Sequence, residues 1–207
     1  PIKLVMPFPA GGPTDQLGRL IGLRLRDELG ESLVIENYGG AGGTLGAEAA
    51  ARAPADGYTL MFGNSATLAI APAIYKKLSY NPVTSFAPIG LVSTGSMLVV
   101  VNSKLTAKTL PELIALAKAQ PGQLNFGSAG NGTPLHLGGE LLNMLAGTQI
   151  VHVPYKGGGP ALAGLLGGEV QVGIDLAPTL LQHIRSGAIR PLAVAGPTRL
   201  AVLPDVP

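Results

Sequence analysis

Apolar runs, small-residue loops and helical periods alternate along this chain from its first residues. Ile2-Lys3-Leu4-Val5-Met6 is a run of β-branched and long aliphatic residues that predicts a buried strand. Pro7-Phe8-Pro9-Ala10-Gly11-Gly12 can neither continue that strand nor begin a helix. After Pro13-Thr14-Asp15, Leu17, Leu20, Ile21, Leu25 and Leu29 recur at helical spacing, with Arg19, Arg26 and Asp27 off the stripe, and Gly30 is the expected stop. Leu33-Val34-Ile35 predicts a second strand, Asn37 to Gly43 a second glycine loop, and residues 44–51 an alanine-rich helix. Tyr58-Thr59-Leu60-Met61-Phe62 predicts a third strand, ending in Gly63-Asn64-Ser65-Ala66-Thr67 before a helix over 68–75. Three β-loop-α units in succession describe a parallel sheet with helices on its faces.

The device returns after an irregular stretch at 76–90. Met97-Leu98-Val99-Val100-Val101 predicts a long buried strand, and Thr109-Leu110-Pro111-Glu112 has cap, first-turn proline and acid in helix-opening order. Leu124-Asn125-Phe126 leads into Gly127-Ser128-Ala129-Gly130-Asn131-Gly132-Thr133-Pro134, with Thr133 a candidate N-cap and Leu137, Leu141, Leu142 and Leu145 the expected buried stripe of the next helix. Strands at 150–153, 170–174 and 191–195 and helices at 160–166 and 178–185 complete the pattern. The expected architecture is α/β with two lobes, residues 1–98 with 196–207 and residues 99–195. Apolar runs near Val99 to Asn102 and Leu192 to Ala195 would cross between them as a hinge.

Composition narrows the function. With 46% hydrophobic and 13% charged residues, a net charge of +2, 4% aromatics and no tryptophan, the chain has neither the basic field nor the stacking platform of a nucleic-acid binder. The absence of cysteine removes disulfides, thiolate metal sites and cysteine nucleophiles. No apolar stretch approaches the roughly 20 residues of a membrane helix, so direct membrane insertion is not expected; no signal peptide is visible within the chain, and its start almost inside the first strand implies that residues before Pro1 were removed.

The glycine loops sit at the carboxyl ends of strands, where open α/β sheets bind ligands. First-turn helix amides lack internal partners and carry partial positive charge, and glycines let an anion approach them. A serine-hydrolase triad from Ser65 or Ser128 with His136 and Asp175 lacks a G-x-S-x-G elbow. His136, His152 and His183 are too scattered for a metal site, and neither G-x-G-x-x-G nor G-K-[ST] occurs, so no metal or nucleotide cofactor is expected, while the residues alone do not choose between an enzyme and a binding protein. His136, just after a ligand-type loop, is a candidate for touching a bound anion, whereas His152 reads as a satisfied core or edge residue. Lys156 either holds an acid or is a solvated loop lysine. Asp175 either accepts a hydrogen bond from a ligand or caps the following helix, and Phe8 and Tyr155 either wall a pocket or pack.

Phe8-Pro9-Ala10-Gly11-Gly12-Pro13-Thr14-Asp15, Ala41-Gly42-Gly43-Thr44-Leu45-Gly46, Asp56-Gly57-Tyr58-Thr59-Leu60, Ser128-Ala129-Gly130-Asn131-Gly132-Thr133 and Val153-Pro154-Tyr155-Lys156-Gly157 together resemble the Bug family. These are periplasmic solute-binding proteins of tripartite tricarboxylate transporters. The resemblance implies a type II periplasmic binding protein fold that closes its interlobe cleft on a small carboxylate: a mono-, di- or tricarboxylate, an aromatic acid or an acidic amino acid. It implies delivery to membrane permease subunits without catalysis, in the periplasm. It carries ligand contact onto Phe8, Ala10, Gly11, Gly12, Asp15, Asn64, Ser65, Thr67, Ser128, Ala129, Gly130, Thr133 and the region of Asp175. His136 and Tyr155 join them from the reading above. Tyr38-Gly39 stands where members often have Arg-Pro, and Ala71 where many have Asn, which places the difference at the distal end of the pocket. By this resemblance the C-terminal part of the first lobe is missing, which would leave apolar surface uncovered. The alternatives are a ligand-sensing effector domain and a small-carboxylate enzyme on the same scaffold.

Overall fold

A computed structural model describes residues 1–207 and divides into two compact units, Pro1–Gly90 with Gly130–Pro134, and Leu91–Ala129 with Leu135–Pro207.

In the first unit, strands β1 (Ile2–Met6), β2 (Leu33–Asn37) and β3 (Thr59–Met61) form a parallel sheet in the order β2-β1-β3. Helix α1 (Pro13–Leu29) ends at Gly30 with φ 68°, the left-handed residue expected there. Its buried positions are Asp15, Gly18 and Gly22, not the predicted leucine stripe, since Leu20 and Leu29 are more than half exposed. A side chain at Gly18 would collide with Met6, and one at Gly22 would press on Leu33. The helix therefore rests on the sheet through glycines, which brings the backbones closer than leucine would allow. Helix α2 (Thr44–Ala51) follows a 3-10 turn at Ala41–Gly43, and a π-turn at Ala66–Ile70 runs into the short α3 (Ala71–Ile74), where the sequence predicts one continuous helix. The proline at position 72 stands at the start of α3 without breaking the chain's helical course.

The second unit holds a five-stranded mixed sheet in the order β6-β5-β7-β4-β8, formed by β4 (Met97–Asn102), β5 (Asn125–Ser128), β6 (Val151–Pro154), β7 (Val172–Leu176) and β8 (Ile189–Ala195). β5 pairs parallel with β6 and β7, whereas β4 runs antiparallel to β7 and β8. The apolar run of β4 divides by alternation. Val99 and Val101 join Leu113, Phe126, Val172 and Ile174 in one core, and Leu98 and Val100 join Leu165, Val170 and Leu180 in another. A sheet buried on both faces needs such a continuous run.

Helix α4 (Leu110–Ala119) is capped as expected, the Glu112 amide donating to Thr109 Oγ1 at 3.3 Å. Helix α5 (Pro134–Ala146) turns Leu135 and Gly139 inward while Leu137, Leu141 and Leu145 are exposed, so only Leu142 of the predicted stripe packs on the core. Helices α6 (Gly158–Gly167) and α7 (Ala177–Arg185) complete the unit.

Two boundaries differ from the sequence expectation. Residues 196–207 belong to the second unit, where the Val194 amide donates to the Pro207 carbonyl and Val206 enters the core. The two hinge candidates pair with each other antiparallel inside that same unit, Val99 opposite Ala193. No helix is long and apolar enough to cross a membrane.

Candidate functional site

In the first unit the loop from β1 to α1 is held by an internal anion. Asp15, 3% exposed, accepts from the Gly11 amide, Arg19 Nε and Asn37 Nδ2, each at 2.9 Å. Asn37 Nδ2 also donates to the Phe8 carbonyl at 3.0 Å, tying both ends of the loop to β2. Burial of Asp15 works against its charge, but the bonds from Arg19, Gly11 and Asn37 outweigh it and hold the carboxyl below its ordinary 3.8. Gly11, at φ 85°, bends the loop so that its amide meets Asp15. Asp15 and the Gly11 amide, both expected at a ligand, are thus satisfied within the protein. No side chain caps α1, and its remaining first-turn amides are left to water or a ligand.

Phe8 and Thr67 converge on Gly43, where an added Cβ would lie 2.8 Å from the Thr67 methyl and 2.9 Å from the Phe8 ring. Thr67 is fully buried and reciprocally bonded to Asn64: the Asn64 amide donates to Thr67 Oγ1, and the Thr67 amide to Asn64 Oδ1, both at 3.2 Å. Ser65 and Ala10 are exposed beside these groups. The segment Gly130–Pro134 packs in the same unit, with Asn131 O against Gly42 and Gly132 against Ile74. Thr133 Oγ1 donates back to the Gly130 carbonyl at 2.7 Å, so its hydroxyl closes the loop just before α5. The structure therefore brings together Phe8, Thr67 and the glycines of the second loop.

In the second unit Ser128 and His136 meet a residue the sequence reading assigned to the core. Ser128 Oγ lies 2.6 Å from His152 Nε2. The His152 ring stacks on His136 at 4.1 Å and on Phe126 at 4.9 Å. Desolvation, with a smaller contribution from His136, pushes His152 down to about 4, so it is neutral at ordinary pH. The only signal in the sequence was one ionisable residue inside an apolar strand.

Asp175 and Tyr155 lie elsewhere in the unit. Tyr155 packs against Gly164 and Gly127, and its hydroxyl donates to Glu169 at 3.0 Å, which is the packing alternative. Asp175, 5% exposed at the end of β7, lines a narrow space with Gly127, Leu135, Leu162, Leu165 and Leu180. Burial pushes its carboxyl up to about 7, against the opposing bond from the Leu176 amide at 2.7 Å. That amide precedes α7, which has no side-chain cap, so the capping alternative does not hold. Lys156 is exposed, and no group of three or more histidine or acidic residues is placed to hold a metal.

Known structures give this arrangement a class. The chain is 38% identical to the periplasmic binding protein BugD, with a TM-score of 0.94 over all of this chain and 69% of that one. It is 37% identical to an R. palustris protein solved with adipate, with a TM-score of 0.96 over all of this chain and 69% of that one. The fold is that of the periplasmic binding proteins. Residues 17–207 match the tripartite tricarboxylate transporter family receptor. The chain is also 40% identical to protein BugT of Bordetella pertussis strain Tohama I, over all of this chain and 64% of that protein. It belongs to the tripartite tricarboxylate transporter receptor family, and it spans less than two thirds of the length of BugT.

Proposed function

We propose that this chain serves an extracytoplasmic solute receptor that captures a small carboxylate and delivers it to the membrane permease of a tripartite tricarboxylate transporter. The ligand class is a mono-, di- or tricarboxylate, an aromatic acid or an acidic amino acid, taken up in the periplasm and left chemically unchanged. The observation that carries this reading is the adipate held by a relative 37% identical over the whole of this chain.

The charges available in this chain support capture by neutral donors. Among the candidate loops Lys156 is the one cation, because Arg19 is engaged by Asp15. Amide and hydroxyl donors to a carboxylate contribute about 1.5–3 kcal/mol each when desolvated, and a micromolar complex needs about 8 kcal/mol. About three to six such donors suffice. Gly12 is buried at the start of α1 with φ −79°, which valine tolerates. Gly12→Val is therefore expected to abolish binding of small carboxylates by blocking approach to the first-turn amides, with a thermal melt of the variant separating that loss from a loss of fold. Lys156→Ala is expected to weaken binding less than about tenfold, or 1.4 kcal/mol. Calorimetry with adipate, malate, citrate, benzoate and glutamate decides it. Binding that survives Gly12→Val and vanishes in Lys156→Ala would sink the backbone-capture reading.

The Ser128–His152 pair favours one rival, an esterase-like enzyme. Its imidazole, pushed down to about 4, is a poor general base at neutral pH. Hydrolysis of a p-nitrophenyl ester that is lost in Ser128→Ala would establish the rival instead.

A further inference from the structure

We propose that Asn37 is a positioning residue of the ligand loop, its side-chain amide holding the β1–α1 loop in its binding conformation before a carboxylate arrives. The proposal rests on the carboxylate reading above. It begins from one nitrogen with two partners. Asn37 Nδ2, at the end of β2, donates to the Phe8 carbonyl at 3.0 Å and to Asp15 Oδ1 at 2.9 Å.

The chemistry of those partners fixes which way the amide faces. A carbonyl and an ionised carboxylate only accept, and Nδ2 has two hydrogens, one for each. Turning the amide over would set Oδ1 against both oxygens. The opposite edge agrees, because Arg19 Nη2, a donor, lies 3.5 Å from Asn37 Oδ1. Both hydrogens are spent inside the protein, so Asn37 acts on a ligand through the loop alone.

The loop depends on such a fastening. Pro7, Pro9 and Pro13 have no N–H to give, and Gly11 and Gly12 add backbone freedom between them. Phe8 precedes the bend and Asp15 lies in the first turn of α1, so one side chain from β2 grips the loop on both sides of its glycines. Asp15 passes the hold on, since its other oxygen, Oδ2, takes the Gly11 amide at 2.9 Å. Pro9 also seats against Gly39, just past β2, where an added Cβ would lie 2.6 Å from the proline ring. Without the Asn37 donors the Phe8 carbonyl and Asp15 Oδ1 lose their partner. A loop in its competent form about one-tenth of the time binds about tenfold more weakly, with every direct ligand contact still available.

Calorimetry with adipate and malate and amide-resolved hydrogen exchange by NMR, both on the full chain, test this. In the ligand-free parent the Gly11 amide should already exchange at least about tenfold more slowly than in an unstructured peptide. Asn37→Leu removes both donors without adding charge, and Asn37→Asp keeps the shape and the acceptor for Arg19. Each should weaken binding of both acids about tenfold and speed Gly11 exchange by a similar factor. The Tyr38 amide, bonded to the Met6 carbonyl at 2.8 Å one residue away, should stay protected, which a general loss of structure would not allow. Ile35→Val, which trims β2 beside Gly22, should lower Tm and leave affinity unchanged. Affinity that falls in step with Tm across all three variants overturns the proposal. So does a Tyr38 amide released together with Gly11, or a Gly11 amide unprotected in the ligand-free parent. If the parent binds neither adipate nor malate, the carboxylate reading falls and takes this inference with it. If it binds them and Asn37→Leu keeps full affinity, this inference alone falls.

Discussion

The Gly139→Val variant is expected to melt on the order of 10 °C below the parent protein, corresponding to about 3 kcal/mol. Gly139 is buried on α5 directly over Phe126, and any Cβ placed there falls inside van der Waals contact of three atoms of that ring. Phe126 is 1% exposed, is packed among Leu113, Val172 and Ile174, and is covered by the stacked His152 ring, so it has nowhere to move. Overpacking of this kind costs about 1–3 kcal/mol or more, beyond the roughly 1 kcal/mol that replacing a helical glycine returns. Gly167→Ala is the control. Gly167 closes α6, is exposed, and has nothing within 4 Å of an added Cβ, so the change should be neutral or slightly stabilising. Thermal melts of both variants decide the matter. Equal Tm values would mean that α5 does not seat on β5 through Gly139.

Asp175→Asn is expected to stabilise the protein by roughly 2–4 kcal/mol at pH 8 and to turn a nearly level dependence of stability on pH between 4 and 6.5 into a rising one. Asp175 ionises at about 7 in the folded protein against 3.8 when unfolded. Between those values the folded state keeps a proton that the unfolded chain has released. Stability from this group is therefore greatest below pH 3.8 and is lost as pH rises toward 7. His152 acts the other way. Its folded value of about 4 lies below 6.5, so stability is lost as pH falls from 6.5 to 4. The two slopes oppose each other between pH 4 and 6.5, where the parent protein should show a nearly level profile. Asparagine keeps the shape and the acceptor for the Leu176 amide without a charge to bury. In Asp175→Asn the histidine slope stands alone, and stability should rise with pH across that window. Melts taken from pH 4 to 8 test this. Parallel profiles for parent and variant would show that Asp175 is solvated or ion-paired in solution.

The same physics explains which parts of the sequence reading held. Strands were legible because their signal is local. Met97 to Val101 is a continuous apolar run and Ile2 to Met6 is broken only by the exposed Lys3, and a sheet covered on both faces requires such composition whatever lies around it. The helix-opening order at Thr109 to Glu112 is local too, and the cap forms as expected. Buried helix faces were not legible. Counting leucines placed Leu20, Leu29, Leu137, Leu141 and Leu145 inside, yet the contacts fall on Gly18, Gly22 and Gly139. Close helix–sheet packing selects the smallest residue at the point of contact, so the deepest positions are those a hydrophobicity count passes over.

For the site, sequence by itself determined where the glycine- and hydroxyl-bearing loops fall, each between a strand and a helix, and through five ordered motifs it determined the family, which residues 17–207 confirm. Tertiary structure alone decided what each polar group there is bonded to. Asp15 reaches the Gly11 amide, four residues away, but also Asn37, twenty-two residues away, and so becomes a fastening of the loop. Ser128 meets His152 because β5 and β6 pair in the register that sets Phe126 opposite His152. Asp175 is raised toward neutrality by leucines of α5, α6 and α7 that share its cavity. Hydrogen-bond partners and desolvation are properties of neighbours in space. A one-dimensional pattern records the residue that carries the chemistry, and the fold supplies the surroundings that decide its charge, its hydrogen and its freedom to meet a ligand.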